Sequence, residues 1–362
     1  MKKYRLPLLL IIFAFASAAL AQSETLWVPS RYSNDVAVID TSNNQILTKI
    51  PVGNFPIRIA MTPDRLKAFV SDAKSGTVSV LDTVSRTKTA TISVGGILGE
   101  MAVTPDGGRL FVLHQSGFHG TGLVPVIDTA TNQVITTVVL PGYSSKDIVF
   151  SPDGSFAWVS NNSSSEVDAI NTATYEVTSI PTGGRPRRLC ISSSGDRVYT
   201  PNNGSDTVSA IDTATKRVIA TIPVGGRPIG IAITPNDKEL YVTNQQDGTV
   251  SVINTTTLSV VATIPTGNLP QRVVITHDGK KAFVENGYSD TVSAIDTTTH
   301  KVLVTLPIGH HPWTLIVNDD DTKVYVCNST DTTVSVVDVP SLTIFDTIAN
   351  VGQAPFDLAF GP

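Results

Sequence analysis

The sequence predicts an all-β fold: one β-propeller of eight four-stranded blades, closed by strands from the two chain ends. Three observations carry this. A repeat of about 42 residues runs from residue 24 to the C-terminus. Each copy holds four short β-branched segments bounded by turn residues. No stretch spaces its apolar residues by three and four over a helical length. Seven blades with an accessory sheet is the alternative.

One copy, residues 238–279, reads KELYVTNQQDGTVSVINTTTLSVVATIPTGNLPQRVVITHDG. Its strand signals are Tyr241 to Asn244, Val250 to Asn254, Ser259 to Ile264 and Gln271 to Thr276. The second strand of every copy ends on Asp or Asn: Asp40, Asp82, Asp128, Asn171, Asp212, Asn254, Asp296 and Asp338. Their spacings of 42, 46, 43, 41, 42, 42 and 42 leave no room for a second domain. The strands are apolar or small on both faces, as in Val250-Ser251-Val252-Ile253. Such strands suit sheets covered on both sides by other sheets.

The turns carry local chemistry. The Asp or Asn closing the second strand precedes Thr in seven of the eight copies, as in Asp212-Thr213-Ala214-Thr215. Its side chain can accept from nearby backbone N–H groups and tighten the hairpin. The fourth strand ends in turns such as Ser151-Pro152-Asp153-Gly154, where proline presets the bend and glycine relieves it. Tyr241-Val242-Thr243-Asn244, the repeated VSVID-T, the Gly-x-x-Pro loop and the TPDG turn resemble the YVTN-repeat β-propeller family. The resemblance covers residues 24–362. It implies the propeller fold and an exported binding or surface-layer role. It also implies that the proline-led strand is innermost in each blade.

The first 21 residues read as an export signal, leaving 22–362 as the propeller domain. Lys2, Lys3 and Arg5 precede an uncharged run of 15 residues, Leu6 to Leu20, and Ala19-Leu20-Ala21 offers a small-x-small cleavage site. Gln22, not Cys, follows, which argues against a lipid anchor, and the run is short for a membrane span. The expected location is secreted, periplasmic or cell-surface, with no transmembrane anchor after cleavage. Cleavage leaves 23 basic against 31 acidic residues, a formal charge of −8. Nucleic-acid binding relies on neutralising phosphates and is not expected of such a surface. Hydrophobic residues make up 41 %, ample for a core. Cys190 and Cys327 lie three repeats apart, too far for a disulfide, and read as buried apolar residues.

The chain ends interlock in this scheme. The N-terminal side supplies three outer strands beginning at Leu26-Trp27-Val28. The C-terminal side supplies a lone innermost strand, Phe356 to Phe360. Together they complete one blade and remove an open edge.

Aligning the loops that lead into the innermost strands gives two rings at one mouth of the channel. One reads Arg58, Glu100, Asp147, Arg188, Gly230, Arg272, Thr314 and Asp357. The other, before the proline, reads Phe55, Ile97, Ser144, Arg185, Arg227, Leu269, His311 and Ala354. Arg185, Arg187, Arg188, Arg227 and Arg272 fall on three successive blades, with His310, His311 and Trp313 on the next. Guanidinium groups suit carboxylate or phosphate. The candidate ligand-binding set is therefore Arg58, Arg185, Arg187, Arg188, Arg227, Arg272, His310, His311 and Trp313. The same alignment lets Glu100, Asp147 and Asp357 pair with these arginines instead.

A second candidate is the longer third repeat, with Ser116 to Gly122 as its extra loop and Pro125 in a strand that should be interior, implying a bulge or local unpairing. No HExxH, CxxC, CxxCH or Gly-x-Ser-x-Gly motif occurs, so neither a metal site, a cofactor nor a catalytic residue is assigned. Asn318 to Asp321 reads as a polar turn. Three functions fit. The first is a non-catalytic binding or scaffold protein holding a protein, glycan or small anion at the channel mouth. The second is a propeller lactonase or lyase, with His311 and Glu100 or Asp147 as acid and base. The third is a non-covalent haem or quinone pocket.

Overall fold

Each blade grows from the same hairpin chemistry. The computed structural model describes residues 24–114 and 122–362. The expected signal at 1–21 and residues 116–121 of the inserted loop lie outside them. Eight antiparallel sheets of four strands make a propeller of eight blades. In the sixth, Pro228–Ile233 is innermost, followed outward by Glu239–Asn244, Thr249–Asn254 and Ser259–Pro265. No helix among the described residues is long and apolar enough to cross a membrane.

The closing residue of the second strand works as its type predicts. Asp212 Oδ1 accepts from the Thr215 N–H at 2.8 Å, and the equivalent bonds form at Asp82, Asp128, Asn254, Asp296 and Asp338. The Asn of the first strand is fully buried and spans the next hairpin. Asn244 Nδ2 donates to Thr249 Oγ1 and Ser251 Oγ, both at 2.9 Å, and Asn202, Asn286 and Asn328 repeat this. The Asn of YVTN and the Ser of VSVID are thus one hydrogen-bonded unit inside the blade.

The core lies between blades. One cluster joins Tyr241, Val250 and Ile264 of the sixth blade to Val273, Val284 and Ile295 of the seventh. Each such side chain contributes about 1.5–3 kcal/mol by leaving water. The ring closes as expected. Thr25 pairs with Gly361, Leu26 with Phe360 and Trp27 with Ala359. Phe360 and Leu358 pack with Leu26 and with Tyr325 of the eighth blade.

The closing strand is shorter than Phe356 to Phe360. Regular pairing covers Ala359–Gly361, with an isolated bridge from Ser30 to Pro355. Phe356 and Asp357 lie outside the regular ladder, Phe356 lining the channel cavity and Asp357 facing Arg272, though the Phe356 N–H still donates to the Pro29 carbonyl at 3.1 Å. Pro125 has the predicted effect. Only Val126, Ile127 and Asp128 pair with the preceding strand, against six pairs in the first blade. Both cysteines are free, Cys327 buried and Cys190 half-buried, and burial pushes each thiol's pKa up.

Candidate functional site

The channel mouth is shaped by one repeated irregularity. In seven blades the residue leading into the innermost segment is left-handed without being glycine: Phe55, Ser144, Arg185, Arg227, Leu269, His311 and Ala354 have φ between +50° and +64°. None is β-branched, the class least able to adopt this conformation. The third blade holds Ile97 there, and Gly95 and Gly96 take the positive φ values instead. The bend locks the mouth together. The Arg227 carbonyl accepts from the Gln245 N–H at 3.1 Å within its blade, and the Arg227 N–H donates to Asp206 Oδ1 of the preceding blade at 2.8 Å.

Just past the proline the pairing register slips, as between Pro56 and Arg58, Pro228 and Ile231, and Pro270 and Val273. A flat strand sends neighbouring side chains to opposite faces. A bulge breaks that alternation and re-aims side chains. Consecutive residues Ile57 and Arg58, Arg187 and Arg188, and Gln271 and Arg272 therefore all line one cavity of about 550 Å³.

The cavity has two tiers. The lower one is a ring of paired charges. Arg58 Nε donates to Glu100. Arg188 Nη1 lies 3.8 Å from both Glu100 and Asp147, and Arg272 Nη1 lies 3.9 Å from Asp357. Asp147 also accepts from the Leu189 N–H at 2.8 Å, and Asp357 from the Ile59 N–H at 3.2 Å. Three arginines and three carboxylates balance. Burial opposes the charge of Glu100, but Arg58, Arg188 and Arg272 outweigh it and hold its pKa below the usual range. Burial prevails at Asp147, raised to about 6, and at Asp357, also raised. Arg272 is lowered to about 10, by burial and then by Arg188 and Arg58. Behind it Glu285 is fully buried; Oε1 accepts from the Arg272 N–H at 3.2 Å, and burial lifts the carboxyl to about 7.

The upper tier is different. Arg31, Lys74, Lys146 and Arg187 line it, and none has a carboxylate partner among the described residues. Burial, then Arg58, lowers Arg31 to about 10. Burial, then Arg187, lowers Lys146; burial, then Arg227, Arg188 and Arg185, lowers Arg187. Rings face these cations. His311 stacks on Trp313 at 6.0 Å, Trp313 on Phe356 at 5.0 Å, and the Arg31 guanidinium covers Phe356 at 3.0 Å. Three buried donors of this tier have no acceptor, Arg31 Nε, Arg187 Nε and Trp313 Nε1, and Arg272 Nη2 of the lower ring is a fourth. No buried side-chain acceptor on the wall lacks a donor among the described residues.

Of the sequence-predicted residues, Arg58, Arg187, Arg188, Arg272, His311 and Trp313 line the cavity. Arg185 and Arg227 are exposed outside its wall, and His310 is exposed beside Asp331 at 3.2 Å. The pairing with Glu100, Asp147 and Asp357 forms, and it occupies Arg58, Arg188 and Arg272. His311 Nδ1 lies 3.1 Å from Ser329 Oγ, not against Glu100 or Asp147. No cluster of three His, Cys, Asp or Glu residues suited to a metal occurs among the described residues. Sequence reasoning missed Arg31 and Lys74, which sit in turns after the first strand of a blade, and Lys146, one residue ahead of the aligned ring. The ring at Lys146, Arg187, Ile229, Gln271, Trp313 and Phe356 was the available signal.

The sequence profile of a family described as YNCE-like beta-propeller matches residues 230–323. The chain is a β-propeller by this match and by its similarity to solved structures. Dihydro-heme d1 dehydrogenase NirN in complex with DHE matches with a TM-score of 0.79 and 15 % identity, over 92 % of this chain and 74 % of that one. Kuenenia stuttgartiensis hydrazine synthase matches with a TM-score of 0.61 and 24 % identity, over 75 % and 92 %. A functionally unknown protein from Desulfotomaculum acetoxidans DSM 771 matches with a TM-score of 0.64 and 17 % identity, over 94 % and 99 %. At these identities the likeness is one of fold. No curated protein matches.

Proposed function

We propose that this is an exported binding protein of the YVTN-repeat type that holds a small anionic molecule at the mouth of its channel. One observation carries the reading. The upper wall offers unpartnered cations, three unpartnered buried donors and no unpartnered side-chain acceptor. Cations held together without a counter-charge are costly, and an anionic ligand rich in acceptors relieves them. The lower charge ring supports the site from beneath, because its carboxylates are already paired with arginines and so do not repel an incoming anion. A cavity of about 550 Å³ falls within the range of small-molecule sites.

The test is a thermal-shift screen with galacturonate, citrate and hexose phosphates. Ligand at 100 times its dissociation constant adds about 2.7 kcal/mol. The hit should be lost in an Arg187→Met, Lys146→Met double variant and kept in Arg185→Met, Arg227→Met, whose arginines lie outside the cavity. The reverse pattern overturns the site. A lactonase or lyase is the second reading, favoured by the Asp147 carboxyl at about 6 beside Arg188 of the cavity wall, a value that suits proton transfer near neutral pH. Turnover of a bound lactone, abolished in Asp147→Asn, would support it.

A further inference from the structure

We infer that the ligand is flat and conjugated as well as anionic: an aromatic polycarboxylate or its like, not a sugar acid or an inorganic anion. This rests on the anion-binding reading of the same cavity and names the ligand's class. The cavity wall is divided by chemistry. Its unpaired cations come from the first, second, fourth and fifth blades, as Arg31, Lys74, Lys146 and Arg187. Most of its rings come from the seventh and eighth blades and from the chain's closing segment, and Phe55 of the second blade stands among the cations.

Those rings form a ladder. Tyr288 lies 5.9 Å from His311, His311 6.0 Å from Trp313 with planes 13° apart, and Trp313 5.0 Å from Phe356 with planes 27° apart. The ladder meets the cations at Arg31, whose guanidinium lies 3.0 Å from the Phe356 centroid and 5.3 Å from that of Phe55. A purely ionic ligand would leave the rings wet. A neutral ring would leave the donors unpaired. Only a ligand carrying both properties matches both halves, through stacking and charge-assisted hydrogen bonds together.

Trp313 supplies a direct readout. The chain has three tryptophans, and Trp27 and Trp158 are fully buried, so a ligand in the cavity touches Trp313 alone. The experiment titrates the protein with pyrene-1,3,6,8-tetracarboxylate and with butane-1,2,3,4-tetracarboxylate, which carry the same four carboxylates with and without a flat ring system. Calorimetry gives the affinities, and the difference in emission between the wild type and Trp313→Leu isolates the Trp313 signal. The expected result is at least tenfold tighter binding of the pyrene compound, with quenching. Trp313→Leu should remove most of that preference, and Arg187→Met should weaken both compounds. Equal affinity for the two, or pyrene binding without quenching of the wild-type tryptophan emission, overturns the inference and leaves the anion-binding reading standing. Failure of both compounds to bind overturns both.

Discussion

Replacing Glu285 by Gln should stabilise the propeller at alkaline pH and leave it unchanged in acid. Glu285 is fully buried behind Arg272, where the sixth blade has Thr243. Thr243 Oγ1 accepts the Gly230 N–H at 2.8 Å, a donor freed by the bulge; Glu285 Oε1 accepts the matching Arg272 N–H. Its other oxygen has no donor among the described residues. Burial, only partly offset by Arg272 and Arg188, raises the carboxyl from 4.5 to about 7. A carboxyl raised on folding binds its proton more tightly in the native state. Its contribution is intact below pH 4.5 and is lost as pH rises through 7. At about 1.4 kcal/mol per pH unit, the loss is about 3 kcal/mol, or roughly 4 °C in Tm for a chain this long. Glutamine keeps the acceptor and resembles the protonated acid, so its effect should be near zero at pH 4.5 and reach the full value at pH 8. Thermal melts of both proteins from pH 4.5 to 8.5 measure this. A difference independent of pH would refute the reasoning, because only titration of residue 285 makes the curves diverge.

Three further outcomes follow from the same structure. Phe360→Ala should cost about 3–5 kcal/mol, and deletion of 354–362 should abolish folding by circular dichroism and size exclusion; an unchanged Tm for the truncation would disprove the terminal closure. Asn244→Ala should cost about 1–3 kcal/mol in a urea titration, since Thr249 and Ser251 each lose a buried partner; a neutral result would show that the motif asparagine is not structural. Lys146→Met should stabilise the free protein by on the order of 1 kcal/mol, read as a higher Tm, while weakening anion binding. Burial and Arg187 both disfavour the Lys146 charge, so a lower Tm would mean that an unseen partner holds it.

Much of the architecture was legible because each repeat states its own hairpins. Asp212 before Thr213 and Asn244 before Thr249 and Ser251 act within a few residues of themselves, and local bonds of that kind need no knowledge of the rest of the chain. The count of eight and the union of Leu26 with Phe360 followed from tallying strand types at the two ends. The ring of Arg58, Glu100, Asp147, Arg188, Arg272 and Asp357 was also readable, since equal positions in equal repeats must meet at the axis.

What only the tertiary structure decided is which of those charges are free. Strand alternation says that Arg187 and Arg188 face opposite ways; the bulge after each proline turns both to the channel. Arg188 then falls beside Glu100 and Asp147, while Arg187 and Lys146 are left without carboxylates. Arg31, from a turn at the start of the described chain, meets Phe356, from the segment closing it, only because the ring shuts. Pairing energies depend on distances of a few ångströms between residues hundreds of positions apart, and a repeat pattern specifies the positions without specifying those distances.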